Sequence, residues 1–112
     1  MLAVDVNDSR DVDSLDVDSL ARRMDISSAP VSALIAQMGR SRAALSRKFA
    51  RYVGMPPHAY RLASRLNCAR QMLKQGDPIA EAAAAAGFAD QSHLGRLFRR
   101  CFGTTPASYR RA

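Results

Sequence analysis

Arg47 and Arg96 stand 49 residues apart, and each follows a leucine by two positions in a repeated phrase, LSRKF at 45–49 and LGRLF at 94–98. A guanidinium is a planar fork of N–H donors, matched in width to guanine O6 and N7. Arg42, Ala43, Ser46 and Ala50 share the outer side of the first phrase. Gln91, Ser92, Gly95 and Arg99 share that of the second, with His93 at its edge. The Gln91 carboxamide can pair with adenine, and a serine hydroxyl with either partner. Donors gathered on a helix face without a carboxylate suit the reading of base edges in a major groove. One arginine on a helix is ordinarily a solvated charge, but two at the same point of an internal repeat point to a shared contact.

The elements that position them follow from the repeat. FARYVGMPPHAYR at 49–61 returns as FRRCFGTTPASYR at 98–110. Adding 49 carries Leu45 to Leu94, Phe49 to Phe98, Gly54 to Gly103, Pro57 to Pro106, Tyr60 to Tyr109 and Arg61 to Arg110. Upstream the offset is 48, carrying Pro30 to Pro78 and Gly39 to Gly87, so one residue has been added in the turn after Gly87. The pattern predicts a short helix over about 16–25, where Val17, Leu20, Ala21 and Met24 fall at helical spacing. It then predicts VSALIAQM up to Gly39, RAALSRKFARYV up to Gly54, a long helix from Pro56-Pro57 to Gly76, the alanine-rich run from Pro78 to Gly87, QSHLGRLFRRCF up to Gly103, and a last turn PASYRR. Ser41, Asp77 and Asp90 are expected to cap helices, and Gly39 and Gly87 to make the turns. No segment reads as a strand, so the fold class is all-α.

Each unit is therefore a short helix, a glycine turn and a second helix with a polar outer face, which is the helix-turn-helix arrangement. Leu45, Phe49, Tyr52 and Val53 are expected to form the core seam of the first unit, and Leu94, Phe98, Cys101 and Phe102 that of the second. The expected organisation is an acidic flexible segment over 1–15, the first unit over 16–55, a connecting helix over 56–76 and the second unit over 77–112. Two copies are too few for a solenoid.

Charge separates along the same lines. Residues 1–28 carry seven aspartates against three arginines, a balance of −4; residues 29–112 carry three acids against fourteen lysines and arginines, a balance of +11. A small basic domain of this kind takes a polyanion as partner. Arg42, Arg61, Arg99 and Arg110 are the candidates for phosphate, Arg61 and Arg110 because each follows an inward tyrosine. No Ser/His/Asp or Cys/His set has a catalytic spacing and no glycine-rich loop cradles phosphate. His58 and His93 lack companion metal ligands. Cys68 and Cys101, on or beside apolar helix faces, read as buried structural thiols. These observations give no catalytic residue, no metal, no cofactor, no membrane span and a cytoplasmic location. A helical protein-interaction module is the rival reading, and the +11 balance weighs against it.

These residues resemble the DNA-binding region of the AraC/XylS family of bacterial transcription regulators. The carrying segments are SALIAQMGRSRAALSRKF, RLNCARQML and, above all, GFADQSHLGRLFRRCFGTTPASYRR. The resemblance covers roughly residues 16–111. It implies two homeodomain-like helix-turn-helix units joined by a long helix, with two recognition helices in successive major grooves of double-stranded DNA. Base reading would fall on Ala43, Ser46 and Arg47 in the first unit, and on Gln91, Ser92, His93, Gly95 and Arg96 in the second. RNA polymerase is the implied second partner. Most relatives carry an N-terminal sensing domain, so the chain is expected to be either a small standalone regulator or, as the abrupt acidic start favours, the DNA-binding part of a larger one; a repair protein is the other parent that carries such a domain. Ala82 and Ala86 stand where larger aliphatics are usual.

Overall fold

The computed structural model describes residues 15–111, and all their regular structure is helical. The expectation for the acidic start lies, apart from Leu15, outside the described residues. The helices are α1 (15–26), α2 (Val31–Gln37), α3 (Arg42–Val53), α4 (Pro57–Lys74), α5 (Ile79–Ala86), α6 (Gln91–Phe102) and α7 (Pro106–Arg111). The chain divides into two compact units, Met1–Tyr60 and Arg61–Ala112.

In the first unit the i, i+3, i+7 stripe of α1 buries Val17, Leu20 and Met24 against Val31, Leu34 and Ile35 of α2 and Leu45 and Phe49 of α3. Each fully buried leucine or phenylalanine contributes roughly 2–3 kcal/mol relative to exposure. Pro30 precedes α2 with the extended backbone that a helix entry requires (φ −56°, ψ 145°), and α2 ends in tight bonds from the Met38 and Gly39 amides to Ile35 O and Ala36 O. Ser41 Oγ then accepts from the Ala44 amide at 3.4 Å and starts α3. Arg40, inside the turn, reaches Asp16 of α1 at 3.3 Å. Tyr60 closes the unit by meeting the Phe49 ring edge-on, with centroids 5.3 Å apart.

The second unit repeats the plan with different filling. Leu66, Ala69 and Leu73 of α4 form one wall, Ala82, Ala83 and Ala86 of α5 another, and Leu94 and Phe98 of α6 the third. Residues 61–74, expected as a connector, thus supply the element that α1 supplies to the first unit. Three buried alanines favour the helical state of α5 and add little volume to the core. Its end is a Schellman turn: the Phe88 amide reaches Ala83 O at 2.9 Å and the Gly87 amide reaches Ala84 O at 3.2 Å, with Gly87 at φ 91°. Phe88, the residue before Ala89 in this longer turn, is buried in the core. Tyr109 of α7 meets Phe98 edge-on at 5.6 Å, the counterpart of Tyr60 on Phe49.

Four expected seam residues are not buried. Tyr52 (43% exposed) and Val53 end α3 at the rim of the first core; Phe102 (37% exposed) and Cys101 end α6 at the rim of the second, with the Phe102 ring still tilted against the buried Phe98 at 4.6 Å. Both thiols are exposed, so Cys68 and Cys101 are not the buried structural residues expected. Asp77 does not cap α5: the N-cap is Pro78, and no side chain caps this helix. Asp77 stands one residue before the N-cap and belongs to the turn that stops α4, its amide donating to Met72 O at 3.0 Å.

Candidate nucleic-acid interface

The fully buried pairs Leu45 and Phe49 on α3, and Leu94 and Phe98 on α6, fix the rotation of each helix about its axis. What lies opposite is thereby set. On α3, Arg42, Ala43 and Arg47 are exposed and Ser46 is half-buried; on α6, Gln91, Ser92, Arg96 and Arg99 are exposed while His93 and Gly95 are half-buried. Among these residues the only acid on either face is Asp90, at the start of α6. Its Oδ1 accepts the His93 amide at 2.8 Å, so its charge sits at the positive end of the helix. A shallow open depression of about 550 Å³, lined by Ala80, Ala83, Ala84, Phe88, Ala89, Asp90, Gln91 and Ser92, runs beside this helix start.

Two of the four expected phosphate contacts are placed differently. Arg61 is only 8% exposed, and burial, with the charge of Arg65 adding to it, lowers its guanidinium below the usual arginine range. A buried cation of this kind belongs to the fold and not to a surface that meets phosphate. Arg110 is exposed but already engaged: Nε donates to Gly76 O at 3.1 Å and Asp77 O at 2.8 Å, and Nη2 to Gly76 O at 2.6 Å. It binds the two carbonyls of the turn between α4 and α5 and ties α7 to that turn. Arg70 makes the second tie, donating to the Tyr109 hydroxyl at 3.2 Å while Asn67 Oδ1 accepts from the same guanidinium at 2.7 and 3.1 Å. The Arg110 and Arg70–Tyr109 contacts span 33 to 39 residues and carry no local sequence signal.

The Arg110 placement gives an expected result. Arg110→Ala leaves two turn carbonyls, those of Gly76 and Asp77, without their donor and should lower the stability of the second unit by about 1–2 kcal/mol. A thermal melt of the variant checks this; an unchanged midpoint would remove the tie from the account.

Among the described residues no three His, Cys, Asp or Glu side chains gather as a metal site, and no helix is long and apolar enough to cross a membrane. Two units of short helix, turn and basic second helix define a double helix-turn-helix chain. The chain belongs to the AraC-type helix-turn-helix family: the family model described as a helix-turn-helix domain matches residues 34–112. It is 34% identical over 82 residues to the HTH-type transcriptional regulator MtrA of Neisseria gonorrhoeae, covering 72% of this chain and 27% of that protein. The chain spans about a quarter of the length of the curated relatives it matches. Its fold is similar to that of an AraC-type transcriptional regulator from Chromobacterium violaceum, with a TM-score of 0.72 and 30% identity over 88% of this chain and 91% of that one. It is also similar to the DNA-binding domain of the global transcriptional factor AdpA, solved in complex with a target DNA, with a TM-score of 0.75 and 28% identity over 84% of this chain and 87% of that one.

Proposed function

We propose that this chain is a sequence-specific double-stranded DNA-binding domain that regulates bacterial transcription. The observation that carries the reading is that Arg47 and Arg96 occupy the same exposed point of two repeated helix-turn-helix units. AdpA, a similar fold seen on its target DNA, supports it. Each second helix enters a major groove, and the two grooves are successive. Arg47 and Ser46 with the small Ala43 read one block of bases; Arg96, Gln91 and Ser92 read the other. Arg42 and Arg99 meet phosphate, and Arg61 and Arg110 are withdrawn from that role. The chain acts in the cytoplasm as the DNA-binding part of a longer regulator, with a sensing domain and RNA polymerase as its further partners. No catalytic step is assigned to it.

Salt titration tests the reading. The two phosphate contacts, Arg42 and Arg99, imply roughly a tenfold loss of affinity for a random duplex between about 50 and 200 mM salt. A fluorescently labelled duplex titrated with the purified chain reads this directly. No binding at low salt, or binding indifferent to salt, would favour the protein-interaction module.

A further inference from the structure

The turn of the second unit is one residue longer than that of the first. Gly39 and Ser41 bracket one residue, Arg40, whereas Gly87 and Asp90 bracket two, Phe88 and Ala89. The two extra-helical amides must find acceptors. Phe88 N–H is spent in the Schellman turn on Ala83 O. Ala89 N–H has no backbone acceptor in the turn; it donates to His93 Nδ1 at 3.3 Å. The His93 amide in turn donates to Asp90 Oδ1 at 2.8 Å. This is a reciprocal box around the start of α6, of the kind that a Glu or Gln at the third helical position makes, with the side chain reaching one residue further back. The His93 ring also stands edge-on to the buried Phe88, with centroids 5.4 Å apart, so the ring is held by packing as well as by its bond. The first unit has no such device: the residue matching His93 at the 49-residue offset is Ala44, and Ser41 caps alone at 3.4 Å.

We propose that His93 is a positioning residue: by holding the Ala89 amide through Nδ1 it sets where α6 begins, and so where Gln91 and Ser92 are presented, and it reads no base itself. With Nδ1 accepting, the neutral ring keeps its proton on Nε2. Gln91 and Ser92 are the first two residues of α6 and lie inside the box, between Asp90 and His93. A loosened box therefore moves these two side chains first, while Arg96, a further turn along α6 and flanked by the buried Leu94 and Phe98, stays in place. The inference rests on the DNA-binding reading above.

Two near-isosteric variants separate positioning from base contact. His93→Asn puts an acceptor where Nδ1 stands, and His93→Gln puts its polar atoms where Nε2 stands. The measurement is the motif selected from a randomised duplex library by wild type, His93→Asn, His93→Gln and His93→Ala, together with hydrogen exchange of the Ala89 amide in the free proteins. Positioning predicts that Asn keeps both the slow amide and the selected motif. Ala speeds exchange and loses about tenfold in affinity for the selected site. It relaxes selectivity only at the bases that Gln91 and Ser92 face, leaving the block read by Arg47 intact. Gln, which can close a box of its own on the Asp90 amide, speeds exchange of the Ala89 amide but keeps the motif better than Ala. If Asn keeps the slow amide and loses the motif, His93 reads a base through Nε2 and the proposal is overturned. It is also overturned if Ala89 exchanges alike in all four proteins, a result that needs no DNA and stands even where a variant binds poorly. A wild-type protein that selects no motif overturns the DNA reading itself, and the amide measurement still separates that failure from failure of the box.

Discussion

Gly87→Val should destabilise the second unit by about 2–3 kcal/mol and misplace α6. Gly87 sits at φ 91°, where a β-branched residue is a genuine outlier and the strain is of order 1–3 kcal/mol. An added Cβ would also stand 3.0 Å from Arg65 Nε and 3.3 Å from Arg65 Cζ. That contact is the smaller effect, because the end of a flexible side chain can swing away and the backbone cannot. The larger consequence runs through Phe88. The hydrogen bond its N–H donates to Ala83 O forms while Gly87 holds the left-handed turn, and it helps seat the ring in the core with Leu66, Leu94 and Phe98. Gly87→Asn, which tolerates the left-handed region, should recover a large part of the loss. Urea melts of the three proteins with far-UV circular dichroism give the comparison. A valine variant as stable as wild type would show that the turn does not depend on this backbone shape.

The order of helices and the two turns were legible because their signals are local. Glycine stops, Pro starts and the Ser41 and Asp90 caps each act within four residues, and the repeat supplies every signal twice. The same repeat exposes one systematic error. Tyr52 and Val53 follow Phe49 by three and four residues, as Cys101 and Phe102 follow Phe98, so helical periodicity puts all four on the apolar side. In both units that last turn, just before Gly54 and Gly103, lies at the rim of the core, where periodicity continues but burial does not: Phe102 still meets the Phe98 ring at 4.6 Å while remaining 37% exposed. Asp77 misled for a different reason. An Asp before Pro looks like a cap, but Gly76 stops α4 by a turn that consumes the Asp77 amide and leaves Pro78 as the entry to α5. The Arg110 tie and the burial of Arg61 depend on tertiary placement, and neither has a local pattern. The box at His93 did leave a trace, a cap residue followed three positions later by a side chain with an acceptor. It went unread because histidine stands there in place of glutamate or glutamine.

Arg47→Ala and Arg96→Ala should each weaken binding to the preferred site by about 1–3 kcal/mol, the worth of a bidentate guanine contact. The position of the loss is the sharper test. Both arginines are exposed, and in each unit the flanking leucine and phenylalanine are fully buried, so removing the guanidinium should leave the fold intact. Each variant should then relax selectivity at its own block of bases, with the two blocks about one helical turn, roughly 10 base pairs, apart. Arg42→Ala and Arg99→Ala are the controls: phosphate contacts carry no sequence information, so these should weaken all duplexes alike and flatten the salt dependence. Arg110→Ala is a third kind of change, acting through the melting temperature of the second unit and only thereby on DNA. Selection from a randomised duplex library with wild type and each variant separates the three. If the arginine pair leaves the selected motif intact, the exposed guanidinia are solvated charges and base reading lies elsewhere. If both variants erase the same bases, one chain does not read two blocks, and a pair of chains each using one unit per half-site becomes the account that fits.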